Sequence, residues 1–132
     1  MELASTVSPS ESLARYLTSS THYSHEKHLV KPAAFLPPPP DWRLSVFRID
    51  GLSIEEVCVI GREKVIDKRT GRALHGFADI KARVFQDLKL AIDPDNSPPR
   101  HASVMGWPED KPSQKLIAIE LAASAKLVLC AH

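Results

Sequence analysis

The sequence contains few of the residues on which specialised sites depend. Its 132 residues include two cysteines and five glycines, and the glycines are scattered singly. It has no glycine-rich phosphate loop, no paired-cysteine zinc motif and no His-Glu-x-x-His sequence. A nucleophile elbow around a serine is missing as well. These absences remove the nucleotide-loop, zinc-finger and serine-hydrolase classes, and we predict no cofactor.

An excess of charge of one sign is also absent. The 17 basic and 16 acidic residues leave a formal charge of +1, so no overall field attracts nucleic acid or an anionic membrane. The longest apolar stretch, 116–129, is interrupted by Glu120 and Lys126 and is too short to span a bilayer. The N-terminus lacks a basic region followed by an apolar run. We therefore predict a soluble, cytoplasmic protein that has no membrane partner.

The two cysteines, Cys58 and Cys130, lie in segments that resemble apolar helix faces. No neighbouring base or redox partner accompanies either one, and their separation does not match a zinc motif. The favoured interpretation is two reduced thiols that pack as small hydrophobic groups. A disulfide or a nucleophilic cysteine is the alternative.

The composition, with 43% hydrophobic and 25% charged residues, is that of an ordinary globular domain. Residues 1–12 are rich in Ser, Thr and Pro and are predicted to form a flexible N-terminal tail. Residues 13–132 are predicted to form a single α+β domain. It opens with a short strand or an irregular extended segment at 13–23. Prolines 37–40 predict a stiff polyproline II connector.

Apolar and polar residues alternate in several segments, which indicates strands. Strands are predicted at 42–49, 77–85, 88–92 and 101–105. Ser53 and Glu56 form a capping-box pattern that predicts a short helix. A long, widely apolar helix is predicted over 112–129. The predicted fold is a small, mainly antiparallel sheet covered by a short helix and a long C-terminal helix.

The segment 98–112 is the best candidate for a site, since it combines an imidazole, a guanidinium and an indole with four prolines. Arg100, His101 and Trp107 are the candidate ligand-binding residues, because these groups can bind a phosphate and stack on a base. Arg48, His75 and His101 are the candidate catalytic residues. The favoured interpretation of these residues is nevertheless structural: Trp107 fills the core, Arg100 is solvated and His101 bonds a backbone carbonyl.

Asp79 belongs to the same set of polar residues that would converge if their strands are neighbours.

His22, His25 and His28 recur at intervals of three residues, with Glu26 among them. On a helix this spacing spreads the rings over roughly 240 degrees, because each residue advances about 100 degrees. A loop would allow two of them to join His75 or His101 at a metal ion. A solvated polar loop is the simpler interpretation, and no metal ligand is assigned.

A basic run follows the short helix, and its members are Arg62, Lys64, Lys68, Arg69 and Arg72. No aromatic residue stands between these charges, although stacking on bases usually accompanies nucleic-acid binding. An exposed charged segment is the favoured interpretation, and nucleic-acid binding is weakly supported.

Several short motifs together resemble a group of small uncharacterised bacterial proteins. The motifs are Ala34-Phe35-x-Pro37, Leu44-Ser45-Val46-x-Arg48, Arg100-His101-Ala102 and Gly106-Trp107-Pro108, with Lys111 after them. The resemblance covers about residues 15–129. It implies a bacterial origin and one compact domain, and it implies no catalytic residue.

Two functions fit these observations. The first is a bacterial accessory or interaction module that binds a protein partner or self-associates without turnover, using the apolar flank of the C-terminal helix or an open sheet edge. The second is a small enzyme that acts on a phosphate-containing or nucleotide substrate, of the nuclease, nucleotidyl transferase or ADP-ribosyl transferase type. The sequence leaves open whether the protein is an enzyme.

Overall fold

The computed structural model describes residues 3–66 and 72–131. Its strands are β1 Ser12–Leu17, β2 Tyr23–Ser24, β3 Leu29–Val30, β4 Leu44–Arg48, β5 Gly76–Lys81, β6 Ala91–Asp93, β7 His101–Met105 and β8 Lys126–Leu129. Its helices are α1 Ile54–Lys64, α2 Ala82–Asp87 and α3 Lys111–Ser124, with 3-10 turns at Ser20–His22 and Pro32–Phe35. The predicted α+β class is confirmed, and in the described ranges no helix is long and apolar enough to cross a bilayer.

The main sheet has six antiparallel strands in the order β6-β7-β4-β1-β5-β8, and β2 and β3 form a separate pair. Strand β1 lies inside the sheet, where Leu13 is opposite Arg48 on one side and Ile80 on the other. The sequence predicted this segment as a short strand or an irregular extended chain, and the strand is the alternative that forms. Its alternation is hidden because both of its faces are buried, so apolar residues occupy successive positions.

Two hydrophobic clusters cover the two faces of this sheet. On one face, which we call the α3 face, Leu13, Val46 and Ile80 pack with Leu121 of α3. On the opposite α1 face, the cluster contains Ala14, Tyr16, Phe47, Phe77 and Val57 of α1. Successive side chains of a strand point to opposite faces, which explains why neighbouring residues join different clusters.

Helix α1 begins as predicted. The Glu56 amide donates to the Ser53 hydroxyl at 3.1 Å, and the Ser53 amide donates to the Glu56 carboxylate at 3.0 Å. These bonds lower the pKa of Glu56. The helix packs closely on β1 at Gly61, since a Cβ atom there would lie 2.6 Å from a ring carbon of Tyr16.

The boundaries of three predicted elements are wrong. The strand predicted at 77–85 ends at Lys81, and the chain continues as α2. The strand predicted at 88–92 is β6, three residues at Ala91–Asp93. The helix predicted at 112–129 ends at Ser124, because residues 126–129 pair with β5 as the edge strand β8.

The predicted polyproline II connector is also wrong over its second half. Residues 39–42 form a turn in which the Trp42 amide donates to the Pro38 carbonyl at 3.1 Å. The chain therefore reverses direction here. Trp42 lies in this turn with a φ of 53°, and β4 begins later, at Leu44.

Cys58 and Cys130 form a disulfide with an S–S distance of 2.07 Å, so the prediction of two reduced thiols is wrong. The bridge joins α1 to the residue that follows β8. Both cysteines are buried in the α1-face cluster, as predicted for small hydrophobic groups, but the packing brings their Cα atoms within 5.8 Å. That separation lies in the usual range for a disulfide.

The segment before β1, predicted as a flexible tail, contributes side chains to the domain. Val7 belongs to the α3-face cluster, and Glu11 is buried. Ser12, the last residue of the predicted tail, begins β1, and its amide donates to the Asp50 carboxylate at 2.9 Å.

Candidate functional site

Three of the predicted site residues meet at the end of the sheet where β4 finishes and β7 begins. Phe47 pairs with His101, which places Arg48 beside Arg100. The Arg48 amide donates to the Arg100 carbonyl at 2.8 Å, and the Arg100 guanidinium donates to the Arg48 carbonyl at 3.0 Å. The strand pairing therefore brings the backbones of Arg48, Arg100 and His101 together. The His101 ring lies with Phe47 on the α1 face, whereas the Arg48 side chain points to the α3 face, as Leu13 opposite it does.

Arg48 is only 4% exposed, and its guanidinium is largely occupied. Its Nε and Nη2 atoms donate to the Glu11 carboxylate at 2.5 and 3.0 Å. Nη1 and Nη2 also donate to the carbonyls of Ala4 and Thr6. Arg48 thus holds the N-terminal segment against the sheet, and it has little donor capacity left for a ligand.

His101 is paired with a carboxylate. Its Nδ1 atom lies 2.6 Å from Asp95 Oδ1, and the Ser103 hydroxyl donates to Asp95 Oδ2 at 2.7 Å. Partial burial raises the pKa of Asp95, but the bonds from His101 and Ser103 outweigh it, and the net shift is downward. The carboxylate is therefore ionised at neutral pH, and Nδ1 carries the ring proton.

This pairing leaves the His101 Nε2 atom as the acceptor of a neutral imidazole. Within residues 3–66 and 72–131 no group bonds to Nε2, and that part of the chain has no buried side-chain nitrogen or oxygen without a partner, so Nε2 reaches solvent. The ring packs edge to face on Phe47, with centroids 5.3 Å apart. The carboxylate and the phenyl ring together fix its orientation.

A cleft of about 490 Å³ is lined by chain neighbours of this pair, whereas His101 and Asp95 themselves are not among its lining residues. Its lining residues include Ala4, Ser5, Arg48, Asn96, Pro99 and Arg100. Arg100 has a φ of 75°, and its amide donates to the Asn96 side chain at 2.8 Å. A non-glycine residue in this conformation costs on the order of 1–3 kcal/mol, and such strain is concentrated at functional sites.

The remaining predicted site residues lie elsewhere. Trp107 is buried in the α3-face cluster, where its indole donates to the Val104 carbonyl at 3.1 Å. His75 precedes β5 at the opposite end of the sheet, because Gly76 pairs with Leu17 whereas Ile80 pairs with Leu13. Asp79 lies half-buried in β5, opposite Ala14 and Lys126.

The three spaced histidines are not gathered at one point. His22 ends a 3-10 turn, whereas His25 and His28 are exposed in the loop between β2 and β3. In the described ranges, no group of three or more His, Cys, Asp or Glu side chains is arranged to hold a metal ion.

In the basic run, Arg62 and Lys64 are exposed at the end of α1, and Arg72 is exposed before β5. Lys68 and Arg69 lie outside the described residues.

Sequence reasoning missed Asp95, Ser103 and Glu11. Asp95 lies in a loop rich in proline and acidic residues, and its composition indicates a loop without indicating a partner for His101. Glu11 was assigned to the tail. One signal in the sequence could have indicated Glu11. A buried arginine in a strand requires a carboxylate partner, and Glu11 is the acidic residue closest to the start of β1.

No protein-family model, curated protein or solved structure matches this chain. The resemblance to small bacterial proteins stays a prediction. The function has to be argued from the geometry of the site.

Proposed function

We propose that this protein is a small enzyme acting on a phosphate-containing substrate of nucleotide size, with His101 as the proton acceptor and Arg100 as the phosphate-binding residue. The observation that carries this proposal is the 2.6 Å contact between Asp95 Oδ1 and His101 Nδ1. A histidine fixed by a carboxylate at one nitrogen is suited to take a proton at the other.

The reaction that fits is phosphoryl or nucleotidyl transfer. His101 Nε2 removes the proton of a water or hydroxyl group as its oxygen attacks phosphorus. The bond from phosphorus to the leaving oxygen breaks, and that oxygen takes a proton from solvent. Asp95 stabilises the imidazolium that forms, and the proton then passes from His101 to water.

Arg100 supplies the positive charge. Within the described residues its side chain makes one hydrogen bond, from Nη1 to the Arg48 carbonyl, so Nε and Nη2 are available to phosphate oxygens. Bonds from arginine to phosphate are charge-assisted and stronger than neutral ones. The cleft volume of about 490 Å³ falls in the range of small-molecule sites.

The test is turnover of phosphomonoester, phosphodiester and nucleotide substrates by three variants. His101→Gln is expected to lower kcat by about 10²- to 10⁴-fold, the usual contribution of a general base. Arg100→Gln is expected to raise KM, while Arg83→Gln, which changes an exposed arginine of α2, should match the wild type. A wild type that turns over none of these substrates, or a fully active His101→Gln variant, would contradict the proposal.

The interaction module is a second candidate, and one observation favours it. Leu116 and Ile119 are 67% and 44% exposed on α3, which is unusual for large apolar side chains near each other on a helix. We therefore test self-association by sedimentation. Dimerisation that Leu116→Lys removes and Leu36→Lys retains would support this candidate, and a strict monomer that co-purifies with no other protein would contradict it.

A bacterial origin completes the proposal, and the disulfide changes the proposed location from the predicted cytoplasm to an oxidising compartment. The disulfide bears on the location, since bridges persist in oxidising compartments and are rare in the cytosol. Alkylation of thiols at the moment of cell lysis tests this location: an intact Cys58–Cys130 bridge supports an oxidising compartment, and two alkylated thiols contradict it.

A further inference from the structure

A second polar cluster lies at the opposite end of the sheet from the cleft. Its anchor is the peptide between Leu17 and Thr18, where β1 ends. The His75 amide donates to the Leu17 carbonyl at 2.9 Å, and the Thr18 amide donates to the His22 Nδ1 atom at 3.3 Å. The backbone of His75 is therefore bonded to Leu17, and the side chain of His22 is bonded to the next residue, Thr18.

Tyr23 is next to one of these histidines in the chain and contacts the other. It follows His22 in the chain, and its hydroxyl lies 2.8 Å from the His75 Nδ1 atom. The two rings are also in contact, with centroids 5.4 Å apart. Tyr23 is itself held by pairing with Val30 in the β2–β3 hairpin. His22, Tyr23 and His75 are each half-buried at this end of the sheet, and we call these three residues the His22–His75 cluster.

Both imidazoles in this cluster present a donor. Because His22 Nδ1 accepts the Thr18 amide proton, the neutral ring carries its own proton on Nε2. When the Tyr23 hydroxyl donates to His75 Nδ1, the same assignment holds for His75. In the described ranges neither Nε2 atom has a protein partner, and neither is sealed from solvent.

The charges around the cluster are positive. Burial lowers the pKa of His22, and Arg15, Arg72 and His75 lower it further. The Arg15 guanidinium donates to the carbonyls of Ala34 and Ser45, at 2.7 and 3.1 Å, and within the described residues it meets no carboxylate. Burial lowers its pKa to about 10.

These observations favour an anion over a cation. A metal ion needs free nitrogen lone pairs, but His22 has none in its neutral form, because Nδ1 accepts from the Thr18 amide and Nε2 carries the proton. The neighbouring arginines also repel positive charge. An anion, by contrast, would accept from the two Nε2–H groups and would relieve the repulsion among the basic groups.

We propose that the His22–His75 cluster binds a phosphate-bearing anion, at a site separate from the cleft that Arg100 lines. The donors are the imidazoles of His22 and His75, Tyr23 orients His75, and Arg15 and Arg72 supply the favourable potential.

The experiment is an NMR titration of the histidine rings of the full chain with inorganic phosphate, with chloride at equal ionic strength as the control. The bound anion stabilises the imidazolium form, so the pKa of His22 should rise when phosphate is added and should not rise with chloride. The His25 ring is the internal reference, because it is exposed in the β2–β3 loop. Equal responses of His22 to phosphate and chloride would overturn the proposal.

Variants locate the bound phosphate. His22→Gln and His75→Gln should each weaken binding at least about tenfold, whereas His25→Gln should leave it unchanged. If His75→Gln does not fold, the wild-type titration and the His22→Gln variant still show whether the cluster binds phosphate. Binding that survives His22→Gln but is lost in Arg100→Gln would place the anion in the cleft and overturn this inference. Binding retained by His101→Gln keeps this result independent of the proposed enzymatic function.

Discussion

Two histidines mark the two ends of the same sheet, and their surroundings differ in charge. His101 bonds the Asp95 carboxylate at 2.6 Å, whereas His75 bonds the neutral hydroxyl of Tyr23 at 2.8 Å. The ionised Asp95 carboxylate accepts from His101 Nδ1, which leaves the lone pair of Nε2 free to take up a proton. When the Tyr23 hydroxyl donates to His75 Nδ1, the ring proton lies on Nε2 and can be donated. The neighbouring charge, and not the ring itself, assigns each histidine its chemistry.

The two ends also hold their arginines differently. Arg48 forms a buried ion pair with Glu11, while Arg15 donates to backbone carbonyls. A buried ion pair is expensive to break from one side, because the remaining charge has no partner. Loss of one acidic residue is therefore predicted to lower the free energy of unfolding most at the end of the sheet that contains the cleft.

The largest expected effect follows from Glu11→Gln. Removing the charge leaves the Arg48 guanidinium buried without a counterion, which should lower the free energy of unfolding by about 3–5 kcal/mol. Urea denaturation measures it. The matched control is Asp93→Asn, which breaks the exposed Arg43–Asp93 pair at 3.1 Å and should cost about 0–1 kcal/mol. An equal decrease in the free energy of unfolding in the two variants would show that burial does not make the Arg48–Glu11 pair more important than the Arg43–Asp93 pair.

A smaller effect is expected from Tyr23→Phe at the other end. The change removes the hydrogen bond to His75 Nδ1 and should lower the free energy of unfolding by about 0.5–1.5 kcal/mol. The His75 ring resonances should move as well. Tyr16→Phe removes a bond to the Val57 carbonyl in which His75 takes no part, so its His75 resonances should move less. Unchanged His75 resonances in Tyr23→Phe would contradict the bond.

The smallest effects concern the dependence of stability on pH. Groups at the two ends of the sheet should change the stability in different pH ranges. Asp95 has a lowered pKa, so its contribution is complete above the unfolded value of 3.8 and is lost as pH falls through the folded one. His22 also has a lowered pKa. The unfolded chain binds its proton first, so stability falls as pH drops below 6.5.

Thermal unfolding measured across pH separates these two groups. His22→Gln should make the fall of the melting temperature below pH 6.5 less steep. Asp95→Asn should do the same for the fall below pH 3.8. His25→Gln is the control for the range below pH 6.5. A dependence of the melting temperature on pH below 6.5 that is as steep in His22→Gln as in the wild type would contradict the assignment to His22.

Local patterns in the sequence predicted part of this molecule. The Ser53–Glu56 capping box and the strand at 101–105 depend on residues close in sequence, and both are confirmed. The partners of the site residues depend on distant pairing. Glu11 reaches Arg48 only because β1 lies beside β4, and the sequence does not reveal that arrangement.

The cysteines illustrate the same limit. Each one was correctly predicted to be apolar and buried, but their bridge depends on β8 taking the outer position next to β5. The sequence favoured a continuous helix through 112–129, which gave no reason to bring Cys130 to α1.

The Cys58–Cys130 bridge has a consequence for the covalent integrity of the protein. It closes a ring over a separation of 72 residues, which includes β5, β6, β7 and α3. One proteolytic cut anywhere between the two cysteines therefore leaves the fragments joined. They separate only when a reductant opens the bridge, so a nicked molecule migrates as one species until then.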